Sequence, residues 1–345
     1  METPVHHEFL ILHDFPSPDI EALWREFLGR TECPAHYDTP EFFLEPYWEG
    51  KNPFAVLAFA DSNIVGVITG HHNEGEVVAG LPFRPQICLD PGADEILTTD
   101  TLVLGLLREA GRANLISVYG WAPALAGFEQ RGFHNRQIKG NVVVDLRVGA
   151  QALFDGFALR RRRDIRSAIR NGIEVSEATT TEDLQEYWSV YSAWRKTERK
   201  QVRHNVSFDT VQKLYQMRGN RRRFLARYEG KVIAASGIRF CPGGLVEYSD
   251  NCSLDEFVKL RPNDLLLWRL LEWGCQQGCQ RFSLGGSDPF HCKWGETIVP
   301  VYRYRLDRTF LRRYDRKESL AGMGRTLFRR MPVSLQRTVR RLAGM

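Results

Sequence analysis

Leu260–Gly286 reads LRPNDLLLWRLLEWGCQQGCQRFSLGG. Leu266, Leu267, Leu270 and Leu271 recur at helical spacing, which predicts a helix over Asp264–Trp273. Pro262 stands where a helix can begin, because the first turn has no use for its missing N–H. Arg281–Leu284 then reads as a strand, and Gly285-Gly286 as the sharp turn that ends it. Working outward, Phe224–Tyr228, a Glu229-Gly230 turn and Lys231–Phe240 form a hairpin. Pro242-Gly243-Gly244 turns the chain into a further strand, Leu245–Asp250. Val299–Leu306 is the closing strand, with Tyr302, Tyr304 and Leu306 on one face. The order is hairpin, strand, helix, strand.

The same order occurs earlier. Phe54–Gly70 is strand, turn, strand, Leu102–Ala110 a helix, and Asn114–Tyr119 and Asn141–Leu146 are strands. Ile64 and Gly66 precede Val232 and Ala234 by 168 residues, and Leu102, Val103, Leu106 and Leu107 precede the four leucines by 164. Two copies of one unit of about 150 residues account for the length. The expected class is α/β (α+β), with mixed, mostly antiparallel sheets in tandem domains. A Rossmann fold is a poor match, since no GxGxxG follows a strand. The expected boundaries are 1–150, 151–310 and a basic amphipathic tail, 311–345.

Composition narrows the class. The 345 residues are 43% hydrophobic and 26% charged, a globular balance. No apolar run reaches the roughly 18 residues a spanning helix needs, and the N-terminus lacks the basic flank of a signal peptide. Seven cysteines without regular spacing argue for a reducing, cytoplasmic setting and against a disulfide or zinc scaffold. The net charge of +5 is uneven. Residues 1–150 carry 10 Lys and Arg against 21 Asp and Glu, whereas residues 303–345 carry 13 against 3. An anionic partner is therefore expected at the second half: phosphate, RNA or an acidic membrane face. No RNA- or DNA-reading signature is present, and no DNA partner is expected.

Three segments carry a resemblance. They are RRRDIRSAIRNGIEVSEATTTEDLQEYWSVY (Arg161–Tyr191), the Leu260–Gly286 stretch, and FHCKWGETIVPVYRY (Phe290–Tyr304). In this order and spacing the chain resembles the FemAB-like branch of the GNAT acyltransferase superfamily over residues 50–310. The resemblance implies two GNAT-like domains with a groove between them. It implies transfer of an acyl or aminoacyl group, from acyl-CoA or another thioester or from aminoacyl-tRNA, to an amino group on a cell-envelope precursor, lipid or amino sugar. No permanently bound cofactor is implied. The family lysine that contacts the transition state or the donor phosphate maps to Lys293. The usual coenzyme A loop of GNAT enzymes is absent; Lys259–Asn263 stands in its place.

Acyl transfer to an amine needs a proton acceptor for the nitrogen and stabilisation of the developing oxyanion. Glu247 and Asp250 lie on one strand, three apart, so regular alternation sends them to opposite faces and only one toward the groove. His291 is a further proton acceptor, with Asp288 placed to orient it. Lys293 among aromatics suits a phosphate or oxyanion. For the donor, Arg261 at a helix start, the amides of Gly285 and Gly286, and Arg195 are the binding candidates. Arg160–Arg163, Arg166 and Arg170 form a basic helix face. No metal site is expected. The tail alternates Leu327, Phe328, Met331, Val333, Leu335, Val339 and Leu342 with arginines, which predicts contact with the inner membrane face or packing over the acidic first domain. The rival reading is a non-catalytic membrane- or RNA-binding protein on the same fold.

Overall fold

The computed structural model describes residues 7–80, 87–122, 125–196, 207–217, 219–295 and 297–331. The chain opens with β1 (His7–Leu12) and α1 (Pro18–Arg30), followed by three short 3-10 turns, His36–Asp38, Pro40–Leu44 and Pro46–Trp48. Next come β2 (Pro53–Ala60), β3 (Asn63–Asn73), β4 (Glu76–Ala79), β5 (Ile87–Leu89), α2 (Glu95–Ala110), β6 (Leu115–Gly120), α3 (Ala126–Gln130) and β7 (His134–Asp145). After α4 (Ala150–Gly156), α5 (Leu159–Arg170), β8 (Glu174–Glu177), α6 (Thr181–Arg195) and α7 (Phe208–Gln216), the second half repeats the scheme. Its elements are β9 (Arg221–Tyr228), β10 (Lys231–Phe240), β11 (Leu245–Ser253), α8 (Pro262–Gln276), β12 (Arg281–Ser283) and β13 (Ile298–Asp307), with α9 (Arg313–Arg330) last.

The strands run β1-β2-β3-β4-β6-β13-β7-β12-β11-β10-β9-β8, with β5 against β3. Among the described residues only β4/β6 and β11/β12 are parallel, each pair joined through one helix, α2 or α8. Read from its two ends the sheet has one order twice, as the 168- and 164-residue offsets predict. The fold is mixed α/β with mostly antiparallel pairing.

The two halves exchange their last strands. β13 pairs with β6 and β7, and β7 also pairs with β12. The strands before and after residue 150 therefore form one continuous sheet, and all of them end by Asp307. Hydrophobic pattern alone cannot say which edge a strand joins.

Helix ends follow local chemistry. Thr180 caps α6, accepting from the Asp183 N–H, and the Asp183 carboxylate accepts from the Thr180 N–H. Asn171-Gly172 stops α5, with Gly172 at φ +78°. The core of the second half packs α5 and α8 on one sheet face through Ile165, Leu266, Leu270, Phe282 and Trp294. On the other face α6 and α7 pack Leu184, Tyr187 and Val211 against Leu225, Ala235 and Cys252.

The segment 32–48 of the first half crosses onto the second. Leu245 donates its N–H to the Pro34 carbonyl at 2.9 Å. Arg281 donates to Glu32 at 2.6 Å, and Arg221 pairs with Glu45.

Candidate active site

β11 is held by β12 only over Leu245–Glu247. Beyond Glu247 its backbone has no strand on that side among the described residues, because Gly285, at φ +75°, turns the chain away. The sheet thus forks. On its other edge β11 carries a β-bulge: Gly237 pairs with Asp250 and Ile238 with Tyr248, so Ser249 is the extra residue.

The bulge reverses one expectation. Glu247 and Asp250 do not point apart; the inserted residue puts both on the face toward α6. They differ in surroundings. Glu247 is buried, 3.4 Å from Arg239, whose guanidinium lies 4.2 Å over the Tyr37 ring. Burial works against the charge of Arg239, but Glu247, Tyr37 and Glu45 outweigh it and raise its pKa. Glu247 is therefore part of a sealed network under segment 32–48, not a group in the groove. Asp250 is half-buried. Its Oδ2 accepts from Arg223 at 3.1 Å and from Ser249 at 3.1 Å, while its Oδ1 has no hydrogen-bond partner among the described residues. Arg195, at the end of α6, reaches the same neighbourhood. It lies 5.8 Å over the Tyr191 ring, and Tyr191 feels Arg195, Asp250 and Tyr47 together.

On the α8 side of the fork stands Tyr248. Burial pushes its pKa up to about 12, so the phenol keeps its proton at neutral pH; its oxygen accepts from Asn251 Nδ2. His291, on a short 3-10 turn (His291–Lys293), meets the Tyr248 ring edge-on at 6.2 Å. Its Nδ1 is 2.8 Å from Asp288 Oδ2. Burial lowers the His291 pKa, and Asp288 opposes the shift without overcoming it.

The same turn delivers Lys293 to a cleft of about 760 Å³ on the α5 and α8 side. Arg160, Arg161, Arg261, Phe157 and Trp294 also line it. Arg161 is buried, 4.5 Å over the Trp294 ring and ion-paired with Asp264. Arg261 lies 3.2 Å from Asp164 and stays 41% exposed. Arg160 and Lys293 are exposed and make no ion pair among the described residues. Two uncommitted cations beside an uncapped helix N-terminus suit a phosphate.

The sequence candidates therefore form two groups. Lys293 and Arg261 share the cleft; Asp250 and Arg195 lie across the sheet from it. Lys293 and the two strand carboxylates do not open into one cleft, and the fork stands between them. Gly285 and Gly286 shape the fork: the Gly286 carbonyl accepts from Val142 at 2.9 Å. Arg199 and Lys200 lie outside the described residues.

Glu45, Tyr47 and Arg239 were not singled out from sequence. Burial pushes the Glu45 carboxyl up, but Arg221 and His36 outweigh it and hold the pKa well below the usual range. The one local signal was Pro40 and Pro46 opening aromatic-rich turns.

Residues 160–293 match the acetyltransferase (GNAT) domain family. That stretch is similar to a GNAT domain. The FemX structure superposes with a TM-score of 0.66 at 12% identity, covering 87% of this chain and 98% of that one. The C-terminal domain of a putative lysylphosphatidylglycerol synthetase from Agrobacterium fabrum gives 0.61 at 14%, covering 90% and 96%. A tandem GNAT protein from the clavulanic acid biosynthesis pathway gives 0.55 at 12%, covering 88% and 99%. At such identities the likeness is one of fold. No curated protein sequence matches the chain.

Proposed function

We propose that the chain is an N-acyltransferase whose donor and acceptor meet at the fork from opposite faces of the sheet. The observation that carries this reading is the fork itself, with a cationic cleft on one side and the buried, unpartnered Oδ1 of Asp250 on the other.

Arg160, Arg261 and Lys293 hold the phosphates of the donor, either the pyrophosphate of a coenzyme A thioester or the backbone of an aminoacyl-tRNA. The donor carbonyl lies against the free edge of β11, whose N–H groups take the developing oxyanion. The acceptor amine enters past Tyr191 and Arg195. Its nitrogen bonds to the carbonyl carbon and passes a proton to Asp250. The carbon–sulfur or carbon–oxygen bond to the donor breaks, and Tyr248 gives its proton to the departing atom. The amine can belong to an envelope precursor, a lipid or an amino sugar; the folds of FemX and of the lysylphosphatidylglycerol synthetase domain support an envelope acceptor.

The test is transfer of labelled acyl or aminoacyl groups from a panel of acyl-CoA thioesters and charged tRNAs to amine acceptors. Native mass spectrometry of freshly isolated protein would identify a retained donor. Lys293→Ala is expected to lower kcat/KM about 10²- to 10³-fold. Equal turnover by Lys293→Ala and Tyr248→Phe variants and the unaltered chain would overturn the site. No transfer from any donor, with tRNA or lipid binding intact, would favour a non-catalytic binder.

A further inference from the structure

α9 is docked by its polar side. Glu318 accepts from Arg303 at 2.7 Å, Arg305 at 2.6 Å and Arg136 at 3.4 Å, and Asp315 lies 3.5 Å from Arg305. These arginines stand on β7 and β13, on the face opposite the buried Tyr304. The sequence offered packing of a basic tail over an acidic domain. The contact found has the reverse sign: acids on the helix, arginines on the sheet.

The apolar side of α9 consequently points outward. Leu320 is 65% exposed, Met323 56% and Leu327 61%. At 100° per residue these three fall within about 60° of arc, and Arg313 and Arg316 continue the same strip toward the N-terminus. Phe310 and Leu311, just before the helix, are also exposed. Between α9 and the strands runs an open groove of about 910 Å³, floored by Arg136, Arg303 and Arg305 and walled by Leu311, Leu320 and Met323. A helix packed on a globular body ordinarily turns its apolar stripe inward.

We infer that this strip and groove seat the chain on the surface of an anionic lipid bilayer. The charges on the page choose the occupant. Arg312, Arg313, Arg316 and Lys317 are all exposed around the apolar strip. A second copy of the chain would set these cations against themselves, whereas lipid phosphates would neutralise them. Apolar side chains flanked by cations enter the headgroup boundary without crossing it. No described helix is long and apolar enough to span a membrane. Residues 332–345, with Arg337, Arg340 and Arg341, lie outside the described residues.

The experiment is co-sedimentation of the full chain with vesicles of phosphatidylglycerol and phosphatidylcholine, 1:1, and with phosphatidylcholine alone. Binding to the anionic vesicles is expected to be at least about tenfold tighter and to weaken with salt. The triple variant Leu320→Glu, Met323→Glu, Leu327→Glu changes only exposed positions and should keep its unfolding midpoint while losing at least about tenfold in vesicle affinity. Arg313→Gln, Arg316→Gln and Lys317→Gln should each cost up to about fivefold. Equal binding of the triple variant, or no preference for anionic vesicles, would overturn the inference. So would lipid-free self-association that the triple variant abolishes. Vesicle binding is read without turnover, so this result and the proposed transfer stand or fall separately.

Discussion

The two halves run through the same elements, yet they finish their parallel pairs differently. In the first half β4 is four residues long, and all four pair with β6. In the second, β11 is nine residues long and three of them pair with β12. The helices that follow also differ. Asp94 caps α2, accepting from the Leu97 N–H, so an acid occupies that N-terminus. At α8 the same place is taken by Arg261, which makes no cap hydrogen bond. A repeated unit can keep its packing in both copies while chemistry settles where pairing is released and the helix end is left to a cation.

The largest effect expected from this contrast is on turnover. Asp250→Asn removes the unpartnered proton acceptor at the fork and should lower kcat about 10²- to 10⁴-fold. Glu76→Gln on the paired strand β4 should leave the rate unchanged. Comparable losses in steady-state assays of both variants would break the assignment of chemistry to the second half.

Next in size is the ion pair that joins the halves. Arg221→Ala leaves Glu45 buried with His36 and the longer-range charge of Arg239 and should cost about 3–5 kcal/mol in urea unfolding. A loss below about 1 kcal/mol would mean that segment 32–48 does not hold the halves together.

Asp38 lies in that segment and gives a pH signature. Burial pushes its pKa up to about 7, from 3.8 when exposed. A carboxyl that binds its proton more tightly when folded contributes stability in full below about pH 4 and loses it as pH rises to about 7. Asp38→Asn should therefore gain on the unaltered chain between pH 5 and pH 8, on the order of 2 kcal/mol. A constant difference across that range, measured by denaturant midpoints, would exclude it.

Two smaller changes bear on the helix ends. Arg261→Asp gives α8 the acid that α2 already has, and Asp tolerates the left-handed backbone found there, φ +63°. Donor KM should rise about tenfold with little change in kcat. Asp94→Ala should cost about 1 kcal/mol of stability and nothing in transfer.

Much of this contrast was legible in the residues. The leucine spacing of α8 depends on short-range periodicity and the repeat offsets on matched apolar positions, and the structure has both. The common face of Glu247 and Asp250 was not legible. Alternation counts residues, and nothing in Tyr248-Ser249-Asp250 marks Ser249 as the extra one. Gly237, opposite the bulge, is its trace: a Cβ there would collide with the Asp250 carboxylate. The turns of 36–48 escaped because three- to five-residue elements carry no period. Their buried partners, Arg221 and Arg239, sit more than 170 positions away.

The exchanged strands have a consequence for synthesis. β6 and β7 leave the ribosome early, but β13, the strand that lies between them, ends at Asp307. At about 5–20 residues per second the nascent chain carries two unsatisfied sheet edges for roughly 10–30 s. Neither half can close before the other is nearly complete. The protein is committed to folding as one body at the end of translation, and a truncation before Ile298 strands the first half as well as the second.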